Sequence, residues 1–120
     1  MTVEMPERVA PAPGAPEVDF PWSAAATVVG ALHAVGATLA SQLEARPPMT
    51  ATLADWRGRY RDDFDAVLVR LTATATALVE SAAARAGAVV AAADEANGSQ
   101  VVANRTAASP EGGMALRGTR

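Results

Sequence analysis

Cysteine is absent from this 120-residue chain and histidine occurs once. Those scarcities exclude disulfides, thiolate metal sites and histidine-rich ligand clusters, and they leave the redox compartment undefined. Aromatic residues make up only 4%, so the 50% of hydrophobic residues are mostly alanine with some valine and leucine. Each of these buries little surface, a lone two-helix core built from them is thin, and a partner is expected. Ten Lys+Arg stand against 13 Asp+Glu for a net charge of -3, and no basic stripe appears. Without that electrostatic footprint, no nucleic acid partner is expected. Residues 1–20 are acidic and Pro-studded with Arg8 their only base. A general-secretion signal peptide needs a positive start followed at once by an apolar run, so none is expected here.

The length suits one compact domain, and the pattern divides the chain into three stretches. In residues 1–20, Pro6, Pro11, Pro13 and Pro16 prevent any helical turn from closing, which reads as a disordered or polyproline-like arm. Residues 21–98 read as a helical hairpin. Pro21 suits a first helical turn, and Val28, Leu32, Val35, Leu39 and Leu43 recur at alternating four and three spacing, giving a first helix from Trp22 to Leu43. Pro47 and Pro48 are expected to stop it. Leu53, Trp56, Tyr60, Phe64, Val67, Leu71, Ala75, Leu78, Ala82 and Val89 then mark the face of a long second helix interrupted at Gly58. Its start is open: Thr52 and Asp55 resemble a capping box, whereas Asp62, Asp63 and Asp65 suit the positive end of a helix beginning after Gly58. Asn97-Gly98 is expected to close it, and residues 99–120, with Pro110, Gly112, Gly113 and Gly118, read as a disordered tail.

Several features invite sharper readings. Trp22 to Leu43 has no formal charge and the length of a bilayer span, but Ala, Ser, Thr and Gly dominate it, His33 and Gln42 lie inside, and no basic cluster flanks it. A bundle helix is the better fit, with Ala26, Gly30, Ala37 and Ala40 permitting close approach of another backbone. The lone His33 reads as a boundary residue rather than a ligand. The aspartates at 62, 63 and 65 are interleaved with Arg59, Arg61 and Arg70 and lack calcium-loop spacing, so no metal is proposed. Asn97-Gly98-Ser99 and Asn104-Arg105-Thr106 match the glycosylation sequon, a pattern too short to carry weight alone. No nucleophile set, phosphate loop or paired carboxylates can be assembled, so neither an enzyme nor a cofactor is expected.

At Leu53-Ala54-Asp55-Trp56-Arg57-Gly58, with Phe64 eight residues after the tryptophan and Thr72-Ala73-Thr74-Ala75-Thr76-Ala77-Leu78 behind it, the chain resembles the WXG-hundred (ESAT-like) family over about residues 20 to 98. The resemblance implies a helix-turn-helix hairpin with Trp56 and Gly58 at the turn. It also implies pairing with itself or a sister hairpin into a four-helix bundle, and type VII (ESX) secretion in actinobacteria and related bacteria. Gly58 can take a turn conformation closed to other residues, and Trp56 can cover apolar surface where the helices part. Two departures stand out. Where the family often carries Tyr-X-X-X-Asp/Glu near the end of helix two as part of an export signal, Val90 precedes Asp94, which implies that a partner supplies the signal. Pro47-Pro48 also leaves open whether the turn lies there or at Trp56-Gly58.

The expectation is therefore an all-α helical hairpin, dimerising into a four-helix bundle, with disordered ends. The pairing faces are Val28, Leu32, Val35 and Leu39 on one helix and Phe64, Leu71, Leu78 and Val89 on the other. Its expected role is that of a type VII secretion substrate or secretion partner, exported by that route or retained in the cytoplasm, in contact with the secretion machinery. The alternatives are a cytoplasmic adaptor or chaperone hairpin for a larger secreted protein and a single-span membrane-anchored helical protein.

Overall fold

A computed structural model describes residues 3–53 and 55–109, with the side chain of Met49 outside that set. The protein is an all-α helical hairpin of two long helices, α1 (Trp22–Ala51) and α2 (Arg59–Ala108). Its packing divides into two compact units, one comprising residues 30–86 and the other residues 3–29 with 87–109.

The first unit holds the second part of α1, the turn and the first part of α2. α1 does not stop at the prolines: Pro47 and Pro48 are helical and the helix runs on to Ala51. The ring fixes φ near the helical value, so proline removes only the amide donor, here those that Leu43 and Glu44 carbonyls would normally accept from. The two carbonyls left without a donor lie about two turns before the end of α1, and the helix runs on past them. The Thr50 hydroxyl donates to the Pro47 carbonyl (3.1 Å), and Arg46 donates to the Thr72 hydroxyl of α2 (3.0 Å), pinning the proline segment.

The turn therefore lies beyond the prolines, with Thr52, Leu53 and residues 55–58 its described positions. Leu53 N–H donates to Thr50 O (3.0 Å) and Trp56 N–H to Leu53 O (2.9 Å). Gly58 has φ +112°, a conformation that a Cβ makes costly, and its carbonyl accepts from Asp62 N–H (3.1 Å) as the first bond of α2. Asp62 in that first turn complements the helix dipole.

In the second unit α2 passes through Asn97-Gly98 without ending and continues to Ala108, so residues 99–108 belong to the helix and the expected boundary at Asn97 moves by three turns. The cause is a continuation of the inward face. After Ala93 and Ala96 come buried Gln100 and half-buried Asn97, Asn104 and Ala107, spaced at three and four. What covers this stretch is the N-terminal arm, which is extended rather than helical, as its prolines require, yet is fixed against α2 by hydrogen bonds and not loose. The expected disordered tail beyond 109 lies outside the described residues.

The core is thin. The buried apolar residues are Ala25, Val29, Ala75, Ala82, Ala86, Val90, Ala93 and Ala96, and among the described residues no apolar side chain larger than valine is buried. Ala86 at 1% and Ala93 at 0% exposure can reach such burial only if a neighbouring backbone lies close, which alanine's small side chain permits.

Candidate interaction surfaces

Within the second unit, three carboxamides on α2 hold the arm by its main chain. Asn97 accepts from Val9 N–H (2.8 Å) and donates to Glu7 O (2.9 Å). Asn104 accepts from Ala12 N–H (2.9 Å) and donates to Ala10 O (3.0 Å). Gln100 accepts from Val18 N–H (2.8 Å) and donates to Pro16 O (3.0 Å). Each amide takes the carbonyl of one arm residue and the N–H of the second residue on, bracketing Arg8, Pro11 and Glu17 in turn. Gln100 spends its second N–H on Asn104 Oδ1 (3.0 Å), so this side chain, only 3% exposed, has every donor satisfied.

The arm can meet all three because it folds back on itself. Ala15 N–H donates to Ala12 O (2.9 Å) around Pro13-Gly14, and Gly14 has φ +81°, the pattern of a type II turn. The two bracketed charges, Arg8 and Glu17, then pair across the arm.

At the root of the arm, Phe20, Pro21, Ala24, Ala25, Val28, Val89 and Ala92 line an open and almost wholly apolar groove of about 290 Å³. Phe20 stands edge-on to Trp22, with centroids 4.9 Å apart. Of the expected pairing residues, Val28 is exposed at 46% and Val89 half-buried, and this groove brings the two together.

In the first unit the remaining pairing residues separate into two sets. Leu32, Leu39 and Phe64 are half-buried and face the hairpin's own interior. Val35, Leu71 and Leu78 are 53%, 52% and 51% exposed, with Val67 beside them at 44%. On α2 the inward row is Phe64, Leu68, Thr72, Ala75, Val79 and Ala82, and the exposed Val67, Leu71 and Leu78 each stand one position before it. Val35 likewise stands one position before half-buried Gly36 on α1. In an antiparallel pair, residues one position before the inward rows project to the same side of both helices, so these side chains form one uncovered apolar ridge. The heptad spacing in the sequence mixes the two rows, because Phe64, Leu71 and Leu78 are seven apart while the inward row drifts at the true helical period.

Trp56 sits in the turn, 41% exposed, with its ring 5.5 Å from that of Phe64 and the Arg61 guanidinium 5.9 Å from its centroid. Arg61 also donates to the Leu53 carbonyl and pairs with Asp65 (3.0 Å). This aromatic and arginine cluster closes the turn, and Asp65 serves it as an ion-pair partner. His33 is half-buried and its Nε2 atom is enclosed with no partner among the described residues. Val90 lies in the core while Asp94, four residues on, is exposed. The two sequon asparagines are the clamp residues Asn97 and Asn104, whose amide nitrogens already donate to the arm. The clamp escaped sequence reasoning because it uses polar residues on an inward face. The signal available was Asn97, Gln100 and Asn104 continuing the three-and-four spacing of Ala93.

By length and composition two helical segments, Trp22–Pro48 and Arg59–Ala108, are long and apolar enough to cross a membrane. Among the described residues, an added Cβ at Gly30, Gly36, Gly87 or Gly98 would meet nothing within 4 Å, so each position has room for a methyl group.

Fold and surfaces together define a helical hairpin with uncovered apolar faces. Compared with protein-family models, with curated proteins and with solved structures, the chain has no match in any of the three.

Proposed function

We propose that this protein is a non-enzymatic helix-pairing module of the WXG-hundred (ESAT-like) kind, a type VII secretion substrate or secretion partner that joins itself or a sister hairpin in a four-helix bundle. The observation that carries the pairing is the inverted distribution of apolar bulk. Alanine fills the interior while Val28, Val35, Val67, Leu71 and Leu78 stay about half exposed. A second hairpin laid on these side chains buries the surface that the alanine core cannot, at about 25 cal/mol per Å².

The secretion role rests on the Trp56-Arg57-Gly58 turn, with the Phe64 ring packed at a tilt against Trp56. With Val90 in the place of the export-signal tyrosine, export in this reading needs a partner that supplies the signal. The test is export of the full chain from cells with an intact or a disrupted type VII system, with and without neighbouring hairpin genes. Extracellular protein that requires the system supports the role. Protein confined to the cytosol under all conditions replaces it with the cytoplasmic adaptor.

A second reading, a membrane-inserted hairpin, is favoured by the length and hydropathy of the two helical segments. Alkaline washing of a membrane fraction separates the two readings: a hairpin that stays with the lipid is inserted, and one that washes off is not.

A further inference from the structure

We infer that the uncovered ridge of α2 is the seat of a second copy of this chain laid antiparallel to the first, with Asp63 of each copy opposite Arg85 of the other. The inference rests on the pairing half of the proposed function, to which it adds the partner and its direction, and it is independent of the secretion half.

The ridge ends in opposite charges. Asp63, Val67, Leu71, Leu78 and Arg85 follow one another along α2 at steps of four, four, seven and seven, and each is exposed. At about 100° per residue they fall within ~40° of the line through Val67. Asp65, Arg70 and Glu80, the other charges of this span, stand about 60° or more around the helix from Val67. Among the described residues the ion pairs are Arg61–Asp65 and Arg8–Glu17, which leaves Asp63 and Arg85 unpaired. The helix dipole accounts for Asp63, early in α2, but not for Arg85, which stands in mid-helix far from Ala108.

The ridge is complementary to itself when reversed about Thr74. Asp63 stands eleven residues before Thr74 and Arg85 eleven after it. Val67 and Ser81 stand seven to either side, and Leu71 and Leu78 three before and four after. An antiparallel copy therefore sets Asp63 against Arg85 at both ends, ~33 Å apart, and crosses leucine on leucine between them. This is the mutual pattern of a two-fold interface, in which residue i meets j and j meets i. A parallel copy instead sets Asp63 against Asp63 and Arg85 against Arg85, an opposition of like charges that disfavours it. Val35 joins the same seat. Arg46 of α1 reaches Thr72 of α2, and eleven residues earlier Val35 is about level with residue 83, which brings it near Val67 of the antiparallel copy.

Charge exchange at these two exposed positions is the test, with light scattering of the full chain across a dilution series at low ionic strength and circular dichroism on the same samples. Asp63→Arg and Arg85→Asp, each alone, oppose like charges at both ends and should raise the dissociation constant about tenfold. The double variant, Asp63→Arg with Arg85→Asp, should return it to the natural value with helicity unchanged. Direction is read by linking, since the natural chain has no cysteine. Val67→Cys and Ser81→Cys chains, mixed and treated with a short bis-maleimide, should link to each other. Val67→Cys alone should not link to itself, because its two copies lie ~21 Å apart along an antiparallel pair. A dimer equally strong in all the charge variants, or one still weakened in the double variant, overturns the charge-keyed seat and leaves pairing intact. Self-linking of Val67→Cys overturns the antiparallel order. A natural chain that is monomeric at every concentration overturns the second copy as partner.

Discussion

Gln100 donates to Asn104 Oδ1 at 3.0 Å from a position only 3% exposed, one helical turn along α2. This contact locks the orientation of two carboxamides at once. Asn104 Oδ1 must then be the acceptor for Ala12 N–H, and Gln100 Oε1 is left for Val18 N–H. The arm is ordered by this polar alignment more than by apolar burial.

Gln100→Ala should accordingly release the arm while α2 stays helical. The substitution removes three bonds and strands the Val18 amide, a loss of about 2–3 kcal/mol. Hydrogen exchange reads it out: the Val9, Ala12 and Val18 amides should lose protection, and amides of residues 64–82 should keep theirs. Unchanged protection at Val18 would mean that the clamp does not hold the arm.

Two glycine substitutions should act in opposite directions. Gly58→Ala places a Cβ at φ +112° and should destabilise the chain by about 1–2 kcal/mol. Gly30→Ala, in mid-helix with nothing within 4 Å, should stabilise the isolated chain by up to ~1 kcal/mol. Denaturant unfolding at a concentration low enough to keep the chain monomeric distinguishes them. If Gly30→Ala instead weakens association at higher concentration, a partner backbone approaches there.

Ala93→Leu should cost about 1–3 kcal/mol, because a side chain with no exposed area has no room for three added carbons unless the neighbouring backbone moves. Thermal unfolding measures the loss. Ala77→Leu, on an exposed position of the same helix, should change little and serves as the comparison.

His33→Leu should leave stability unchanged or raise it by about 1 kcal/mol, since it removes an enclosed nitrogen without a partner and keeps most of the volume. A large loss in a denaturant titration would show that the imidazole makes a bond in solution that this account lacks.

The two helices were legible in the sequence from the spacing of Val28, Leu32, Val35 and Leu39 and of Phe64 through Ala82, and α2 does begin directly after Gly58, where Asp62 meets the dipole. Both misplaced boundaries have one cause: residues that usually end a helix were given their typical role. Pro47 and Pro48 fit a segment near the helix end where the Thr50 hydroxyl donates to the Pro47 carbonyl and Arg46 reaches Thr72 of α2, and Asn97 points its amide at the arm instead of capping. Neither outcome is local information, because each depends on a segment distant in the chain. The pairing faces were half legible. Hydrophobic periodicity marked Leu71 and Leu78 as apolar positions, but only the packing reveals that Leu68, Thr72 and Val79 take the inward row and leave those two leucines uncovered.

The most direct test of the account is the absolute mass of untagged protein by light scattering across a dilution series, without detergent, for the natural chain and for Leu71→Asp/Leu78→Asp. Because both leucines are about half exposed in the lone hairpin, the account predicts a variant that keeps its helicity but is monomeric, against a natural chain that is dimeric or becomes so with its sister hairpin. A natural chain that is well folded and monomeric at every concentration, and that gains no partner from a sister hairpin, would contradict the pairing on which the proposed function rests.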